Sequence, residues 1–178
     1  MDIFQQRRAL ESMEILIDTR EQNTEEARRR FERFRCPFSR ATLNYGDYTF
    51  NFNLPDGQPF LDVRNTVKPP VVIERKASLG ELAKCLGKRR KRFLRELQRA
   101  KDAGAKVYLL VENATWENLI NGKYRSQLKP DIFLANLLAI IARFDVCPVF
   151  CKAETTAVMI ENILYRELKE RLENGEYG

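Results

Sequence analysis

The segment Pro69-Pro70-Val71-Val72-Ile73-Glu74-Arg75-Lys76 carries the clearest structural signal in the sequence. Two prolines precede β-branched residues that are typical of a buried strand, and the run ends in Glu-Arg-Lys. Side chains two positions apart lie on the same face of a strand, so we expect Glu74 and Lys76 side by side. Ser78 follows where its hydroxyl can cap a helix. The segment therefore predicts a buried strand that carries charged groups at its end and leads into a helix.

Strands and helices alternate on both sides of this segment. Further strands are predicted over 14–18, 106–112 and 146–150, and helices over 24–35, 78–103, 130–144 and 155–173. The helical segment 78–103 is either continuous or broken at Gly87. Residues 41–52 indicate a hairpin around Gly46-Asp47, and Leu54-Pro55-Asp56-Gly57 indicates a second turn. The pattern favours an α/β fold in which a mixed β-sheet is flanked by helices.

The composition is that of a globular protein, since 44% of the 178 residues are hydrophobic and 31% are charged. We expect one domain over residues 13–178, preceded by an N-terminal extension over 1–12 that is either disordered or helical. The longest mostly apolar stretch, 132–142, is shorter than the roughly 20 residues that cross a bilayer, so no membrane partner is expected. The first residues lack the apolar core of a secretory signal, which favours a cytoplasmic location.

The residue types that the sequence lacks narrow the chemistry. It contains no histidine, which excludes Ser-His-Asp and Cys-His catalysis and His-ligated zinc. The four cysteines form no CxxC pair, so we expect reduced, packed thiols. Catalysis would have to use carboxylates, lysine, tyrosine, cysteine or a metal ion.

Three acids fall at strand ends or turns of the predicted fold. Asp18 ends the first strand, Asp47 follows Gly46 in the turn, and Glu74 lies near the end of its strand. Carboxylates that meet at one sheet edge can hold Mg²⁺, which takes one or two carboxylates together with substrate phosphates. Lys76 beside them would orient or deprotonate a water, and the set could hydrolyse a phosphodiester. Taken singly, the acids also suit turns, caps or an ion pair on a solvated face.

Three short motifs resemble those of the XPF-type structure-specific nucleases. They are Ile17-Asp18-Thr19-Arg20-Glu21, Tyr45-Gly46-Asp47-Tyr48 and Val72-Ile73-Glu74-Arg75-Lys76, in the family's order of GD, a variable gap and ERKxxxD. That family belongs to the PD-(D/E)xK superfamily, so the resemblance implies a restriction-endonuclease-like fold over most of the chain. The most similar members are the compact, standalone ones encoded by bacteriophages, which implies action in a bacterial or phage-infected host cell.

The resemblance implies a role for each matching residue. The implied catalytic set is Asp18, Glu21, Asp47, Glu74, Arg75 and Lys76. Asp47 and Glu74 would bind Mg²⁺ or Mn²⁺, with Asp18 as a further ligand. The Arg75 carbonyl would assist the metal ligands, and the Arg75 side chain would support the site through salt bridges. Lys76 would position the attacking water.

Two features depart from the family's pattern. The gap between Asp47 and Glu74 is longer than in eukaryotic members, and we interpret it as an extended hairpin through residues 55–57. The family's last aspartate, four residues after the lysine, would fall at Gly80, and the nearest acid is Glu81. One position on a helix is a rotation of about 100°, so Glu81 is expected to point away from the metal.

A basic segment follows the Glu-Arg-Lys motif. Residues 84–106 contain ten lysines and arginines against two acids, in a chain of net charge +6 and pI near 9.2. Such a surface could neutralise several DNA phosphates, although a charge run also suits a merely solvated face. A second basic loop around Tyr124 offers a ring that could stack on an unpaired base, or is a plain surface loop. The predicted DNA-binding residues are Arg20, Lys88, Arg89, Arg90, Arg92, Arg95, Lys123 and Arg125.

Together these features predict a metal-dependent DNA endonuclease that cuts branched or flapped DNA in repair or recombination and leaves a 5′ phosphate. The family also contains inactive members that pair with active ones, so a catalytically weak or inactive DNA-binding scaffold stays open, and Gly80 favours it. Cleavage of RNA stays open too, because it would use the same acids. XPF-type nuclease domains pair through C-terminal helices, which implies a homodimer.

Overall fold

The strand with the Glu-Arg-Lys motif lies inside a six-stranded sheet. The computed structural model describes residues 1–177. The strands are β1 (Glu14–Asp18), β2 (Phe38–Ala41), β3 (Tyr48–Asn51), β4 (Val71–Lys76), β5 (Lys106–Glu112) and β6 (Cys147–Cys151). The helices are α1 (Ile3–Glu11), α2 (Glu25–Phe31), α3 (Leu79–Leu86), α4 (Arg90–Asp102), α5 (Trp116–Ile120), α6 (Pro130–Phe144) and α7 (Thr156–Glu173). Over residues 1–177, no helix has both the length and the apolar character needed to cross a membrane.

The order of the strands brings several chain segments to one edge. The sheet runs β2-β1-β3-β4-β5-β6, and of these six strands only β3 is antiparallel to its neighbours. The carboxyl ends of β1, β4 and β5 therefore lie at the same edge, and so does the turn that precedes β3. This mixed sheet with helices on both faces confirms the predicted α/β architecture.

The side chains of β4 alternate between two hydrophobic cores, one on each face of the sheet. Val72 packs with α3, α4 and α6, whereas Val71 and Ile73 pack with α1, α2 and α7. Because the side-chain period of a strand is two, Glu74 and Lys76 continue the Val72 face. Arg75 continues the opposite face, towards α2.

Residues 1–12 contain a helix that packs against the rest of the fold. Asp2 caps the start of α1, where the Gln5 N–H donates to its Oδ1 at 2.8 Å. At the contact with α7, Gln6 Nε2 donates to the Leu172 carbonyl at 3.2 Å. Ala9 is buried in the core on this face. The N-terminal segment is thus helical and not disordered.

The hairpin predicted around Gly46-Asp47 is wrong, because β1 lies between β2 and β3 and pairs with both. Residues 15–17 of β1 are fully buried, and a buried strand must satisfy its main-chain groups on both sides. The second predicted turn is present: the Leu54 N–H donates to the Gln58 carbonyl at 2.8 Å, and Gly57 has a φ of +82°. The helical segment after Ser78 is divided at Gly87 into α3 and α4.

Candidate active site

Asp47, Glu74 and Lys76 lie together at the sheet edge where β1, β4 and β5 end. The Asp47 N–H donates to a main-chain carbonyl of β4 at 2.9 Å, which fixes the turn before β3 onto that strand. Gly46 has a φ of +75°, and a Cβ there would lie 2.6 Å from the Cβ of Val72. Only glycine allows the turn to approach β4 so closely. The Gly-Asp pair in the sequence therefore has a steric cause.

The Asp47 carboxylate is part-buried and accepts a hydrogen bond from the Arg75 N–H at 2.7 Å. Removal of water from this carboxylate raises the pKa of Asp47 well above its ordinary value, and the neighbouring Glu74 carboxylate raises it further. The Lys76 ammonium acts in the opposite direction but does not cancel the shift. Two carboxylates that repel each other in a partly desolvated position are a favourable place for a divalent cation.

Glu74 and Lys76 form an ion pair, and both side chains are less than a tenth exposed. The Lys76 Nζ also lies 5.6 Å from the ring centre of Phe93 on α4. Burial alone would lower the pKa of Lys76, but the carboxylates of Glu74 and Asp47 outweigh burial and raise it. Lys76 is therefore held as an ammonium, which suits the orientation of a water or a phosphate oxygen better than the removal of a proton.

Asp18 is 1% exposed, and both of its carboxylate oxygens are engaged. Arg20 donates to Oδ1 from its main-chain N–H at 2.6 Å and from Nε at 2.9 Å, and to Oδ2 from Nη2 at 2.7 Å. The Leu43 N–H also donates to Oδ2, at 3.2 Å. The Asp18 N–H in turn donates to the Asp47 carbonyl at 2.8 Å. These contacts make Asp18 the group that ties the loop after β1 to the turn carrying Asp47.

A buried polar network occupies the other face of β4. Its members are Glu21, Arg30, Tyr48, Arg75 and Glu112. Arg75 donates from Nε and Nη2 to the two oxygens of Glu112 at 2.7 and 3.0 Å. Arg30 Nη2 and the Tyr48 hydroxyl donate to Glu21 Oε1 at 2.8 and 3.0 Å, and Arg30 Nη1 lies 3.5 Å from Glu112 Oε1. Because the Arg75 N–H holds the Asp47 carboxylate, this network fixes the main chain that positions that acid.

Glu112 and Arg30 are site residues that the sequence reasoning missed. Glu112 is the last residue of β5, as Asp18 is the last residue of β1. An acid that directly follows an apolar strand is therefore the sequence signal for both residues. Arg30 lies with Ala27 and Phe31 on the buried face of α2. A cation in the apolar row of an amphipathic helix is a signal for a buried partner of opposite charge.

Two further acids line the cleft above the site. The Glu81 carboxylate accepts the Ala77 N–H at 2.8 Å and so closes the start of α3. Glu96 of α4 is 16% exposed and lies 3.8 Å from Arg20 Nη2. Burial raises the pKa of Glu96, and the charge of Glu74 raises it further. Both carboxylates line the same cleft. Glu96 was not predicted as a site residue, since it is isolated within a basic helix.

Gly80, at the position of the family's last aspartate, is packed against the loop 121–129. A Cβ on Gly80 would lie 2.8 Å from the Arg125 carbonyl oxygen. That loop is pinned, because the Tyr124 hydroxyl donates to the Leu128 carbonyl at 2.6 Å and its ring contacts Phe133 edge to face at 5.1 Å. The Tyr124 ring is thus a packing residue here, and the close approach of the two main chains requires glycine.

A cleft of about 970 Å³ opens over Asp47, Glu74 and Lys76. Of the predicted DNA-binding residues, those that line it are Arg20, Arg89 and Arg92. An adjacent depression is lined by Lys88, Arg89, Arg90, Arg92 and Arg95. There the Arg90 side chain is tied to α6, since Nη1 donates to Asn136 Oδ1 at 2.5 Å. Lys123 and Arg125 are exposed but are not among the residues that line the cleft.

The mixed sheet, with Glu74 and Lys76 at the end of a central strand and Asp47 in the adjacent turn, has the architecture of the restriction-endonuclease-like fold. The family model of the ERCC4 domain matches residues 17–163, and the chain belongs to this family. This membership confirms the XPF-type family expected from the three motifs. Nucleases of the ERCC4 domain family are endonucleases.

Two solved structures share the fold. XPF from Aeropyrum pernix superposes with a TM-score of 0.59 at 18% identity, covering 86% of this chain and 61% of that one. XPF from Aeropyrum pernix in complex with DNA gives a TM-score of 0.59 at 19% identity, covering 89% of this chain and 66% of that one. The chain therefore spans less than two thirds of the length of either structure. No curated protein matches the chain in sequence.

Proposed function

We propose that this domain is a Mg²⁺- or Mn²⁺-dependent endonuclease that hydrolyses phosphodiester bonds in branched or flapped DNA, as in repair or recombination. The observation that carries the proposal is the convergence of Asp47, Glu74 and Lys76 at one sheet edge beneath a cleft with an arginine-rich rim. Membership of the ERCC4 domain family supports it, as does the fold shared with XPF from Aeropyrum pernix, which was solved in complex with DNA.

The donor set fits a hard divalent cation. Asp47 and Glu74 offer two carboxylates, which is the number that Mg²⁺ commonly takes when phosphate and water complete its shell. Within residues 1–177, no group of three or more His, Cys, Asp or Glu side chains is arranged to hold a metal, so the remaining ligands would be water, main chain and substrate. When bound, the ion supplies Lewis-acid activation of water and neutralises phosphate charge. Since both Asp18 oxygens are engaged, we assign Asp18 to positioning instead of direct ligation.

The residues of the chain itself would orient the reactants. The Lys76 ammonium would donate hydrogen bonds to the attacking water or to a non-bridging phosphate oxygen. Arg75 would keep the Asp47 carboxylate in place through its N–H, while its guanidinium stays anchored to Glu112. Arg89 and Arg92, on the rim at the start of α4, would bind phosphates next to the one that is cut.

The test is cleavage of labelled flap, fork, four-way-junction and duplex DNA, and of an RNA flap, in Mg²⁺, Mn²⁺ or EDTA. We expect metal-dependent cutting of branched DNA that falls at least 100-fold in Asp47→Asn and Glu74→Gln, the range of loss when one catalytic electrostatic group is removed. Glu154→Gln is the control, because this exposed acid lines the same cleft at its rim. Equal loss in the control would contradict the assignment.

A catalytically weak or inactive DNA-binding scaffold is the second candidate, and Gly80 in place of the motif aspartate favours it. It predicts tight, salt-sensitive binding of branched DNA with no cutting in either metal. Cutting of the same DNA in Mg²⁺ or Mn²⁺ that disappears in Asp47→Asn would exclude this candidate.

Two further properties are proposed. Homodimerisation through the C-terminal helices is supported by exposed apolar side chains on them, which are Ile132, Leu138, Val158 and Tyr165. Light scattering at micromolar concentration should give twice the mass of 20.9 kDa, and a clean monomer mass would contradict the dimer.

Action in the cytoplasm of a bacterial or phage-infected cell stays a prediction from the sequence.

A further inference from the structure

The active-site cleft has a second basic wall that no sequence motif indicated. Arg29 of α2 and Arg33, just after that helix, line the cleft together with Arg89 and Arg92 at the start of α4. Helix α2 packs into the core on one face of the sheet and α4 into the core on the other. The two pairs of arginines therefore flank the sheet edge from opposite sides.

The charges that line the cleft divide into two sets. Eight acidic and eight basic side chains line it. Four of the basic groups are bound to buried or part-buried acids below the rim, in the pairs Arg20–Asp18, Arg30–Glu21, Arg75–Glu112 and Lys76–Glu74. The other four are the exposed arginines of the two walls, two on each side. A phosphate chain that approaches the cleft is repelled by the acids of the floor, and the four arginines of the walls are placed to attract it.

Neighbouring arginines of α2 differ in what they contact. Arg30 is 7% exposed and turns inward to Glu21. Arg29 turns outward and pairs with Glu25, with side chains 70% and 65% exposed. An exposed pair of this kind contributes little to stability, so Arg29 can exchange its partner for a phosphate at small cost.

The Arg33 guanidinium is oriented by one hydrogen bond and still has N–H donors available for a ligand. Its Nη1 donates to the Glu154 carbonyl at 2.8 Å, which links the segment after α2 to the turn before α7. A guanidinium has five N–H donors in a planar fork, so one such bond orients the group without using it up. A pre-oriented guanidinium on a rim is suited to a phosphate oxygen.

We propose that Arg29 and Arg33 form a second phosphate-binding wall, so that the cleft holds a nucleic acid strand by its phosphates on both sides of the bond placed over Glu74 and Lys76. The inference rests on the proposed function of the same cleft and assigns the residues that hold its substrate. A strand cut by an endonuclease continues past the cut in both directions, and here α4 would hold it on one side and α2 on the other.

The experiment measures binding without cleavage, by anisotropy of a labelled DNA flap in EDTA between 50 and 200 mM NaCl. The logarithm of the binding constant falls linearly with the logarithm of the salt concentration, and removing two phosphate contacts makes that slope shallower by about 1.8. Between 50 and 200 mM NaCl, wild type should therefore lose about 12-fold more affinity than Arg29→Ala/Arg33→Ala. The control is Arg28→Ala/Arg35→Ala, which removes the same charge from exposed arginines of the same segment that do not line the cleft. It should keep a slope near that of wild type.

A second binding experiment uses flaps that carry neutral methylphosphonate linkages on one side of the junction or on the other. On one of the two sides these linkages should weaken DNA binding by wild type but cause no further loss of binding by Arg29→Ala/Arg33→Ala. Arg29→Lys/Arg33→Lys should restore the wild-type slope, which separates lost charge from lost structure. A wild-type slope in the Ala pair, or an equal fall in the control pair, would overturn the second wall. A failure of the proposed catalysis would appear separately, as absent cutting in Mg²⁺ and Mn²⁺ with these binding differences intact.

Discussion

Replacing Gly80 with alanine is expected to destabilise the fold, although alanine is the better helix former. The added Cβ would lie 2.8 Å from the Arg125 carbonyl oxygen, so the pinned loop 121–129 must move by a few tenths of an ångström or more. Overpacking of this kind costs about 1–3 kcal/mol, whereas exchanging glycine for alanine in a helix gains about 1 kcal/mol at most. We therefore expect a net loss of about 1 kcal/mol in the free energy of unfolding. Gly80→Asp, which restores the motif, should lose more.

Thermal unfolding followed by circular dichroism measures this loss. For a chain of this size, about 1 kcal/mol corresponds to a fall of roughly 2–4 °C in Tm. Lys84→Ala, an exposed change in the same helix, is the control and should stay within about 0.5 kcal/mol of wild type. A Tm for Gly80→Ala equal to or above that of wild type would refute the packing argument. In that case Gly80→Asp should be tested for faster cleavage, because the motif aspartate would then fit.

Three further predictions concern the acids at the sheet edge. Glu112→Ala should lower the free energy of unfolding by about 3 kcal/mol in urea, because it leaves the part-buried Arg75 guanidinium without its bidentate partner. A loss below about 1 kcal/mol would contradict this. Asp18→Asn should slow cleavage but leave the Mn²⁺ affinity, measured by calorimetry, within about threefold of wild type, because the Asp18 oxygens bind Arg20 and the main chain. A rise in Kd above about tenfold, or 1.4 kcal/mol, would make Asp18 a metal ligand. The pKa of Asp47 is raised by burial and then by Glu74, so the stability that this carboxyl contributes is present below its unfolded pKa of 3.8 and is lost as pH rises through the folded value. In EDTA, Asp47→Asn should therefore unfold at a higher temperature than wild type at pH 8, by a margin that shrinks towards pH 4; a margin independent of pH would contradict the shift.

The parts of the site that the sequence predicted are those whose residues are close along the chain or tied by a local rule. Glu74 and Lys76 share a strand face by period alone, and Gly46 marks the turn that delivers Asp47. Each of these signals can be identified without knowing which strands are neighbours in the sheet. The acid that directly follows an apolar run also placed Asp18 at the sheet edge where Asp47 and Glu74 lie.

The parts that were missed depend on pairing between distant segments. The Arg75–Glu112 contact exists because β4 and β5 are parallel neighbours, and the Arg30–Glu21 contact because α2 folds back over the loop after β1. The false hairpin has the same origin, since residues 41–52 alternate equally well whether their partner is each other or β1. Local periodicity specifies a strand but leaves its partner open.

The alternation of side chains along β4 accounts for why an arginine separates the glutamate from the lysine. Glu74 and Lys76 face α4, where the acid and the ammonium meet the cleft and its first arginine wall. Arg75 faces α2, where its guanidinium is bound by Glu112, which also lies 3.5 Å from Arg30 of that helix. The main-chain N–H of the same residue holds Asp47 at 2.7 Å. One strand thereby sets the distance between the acidic floor and both walls, so a strand shifted by one residue would exchange the roles of the faces and lose the site.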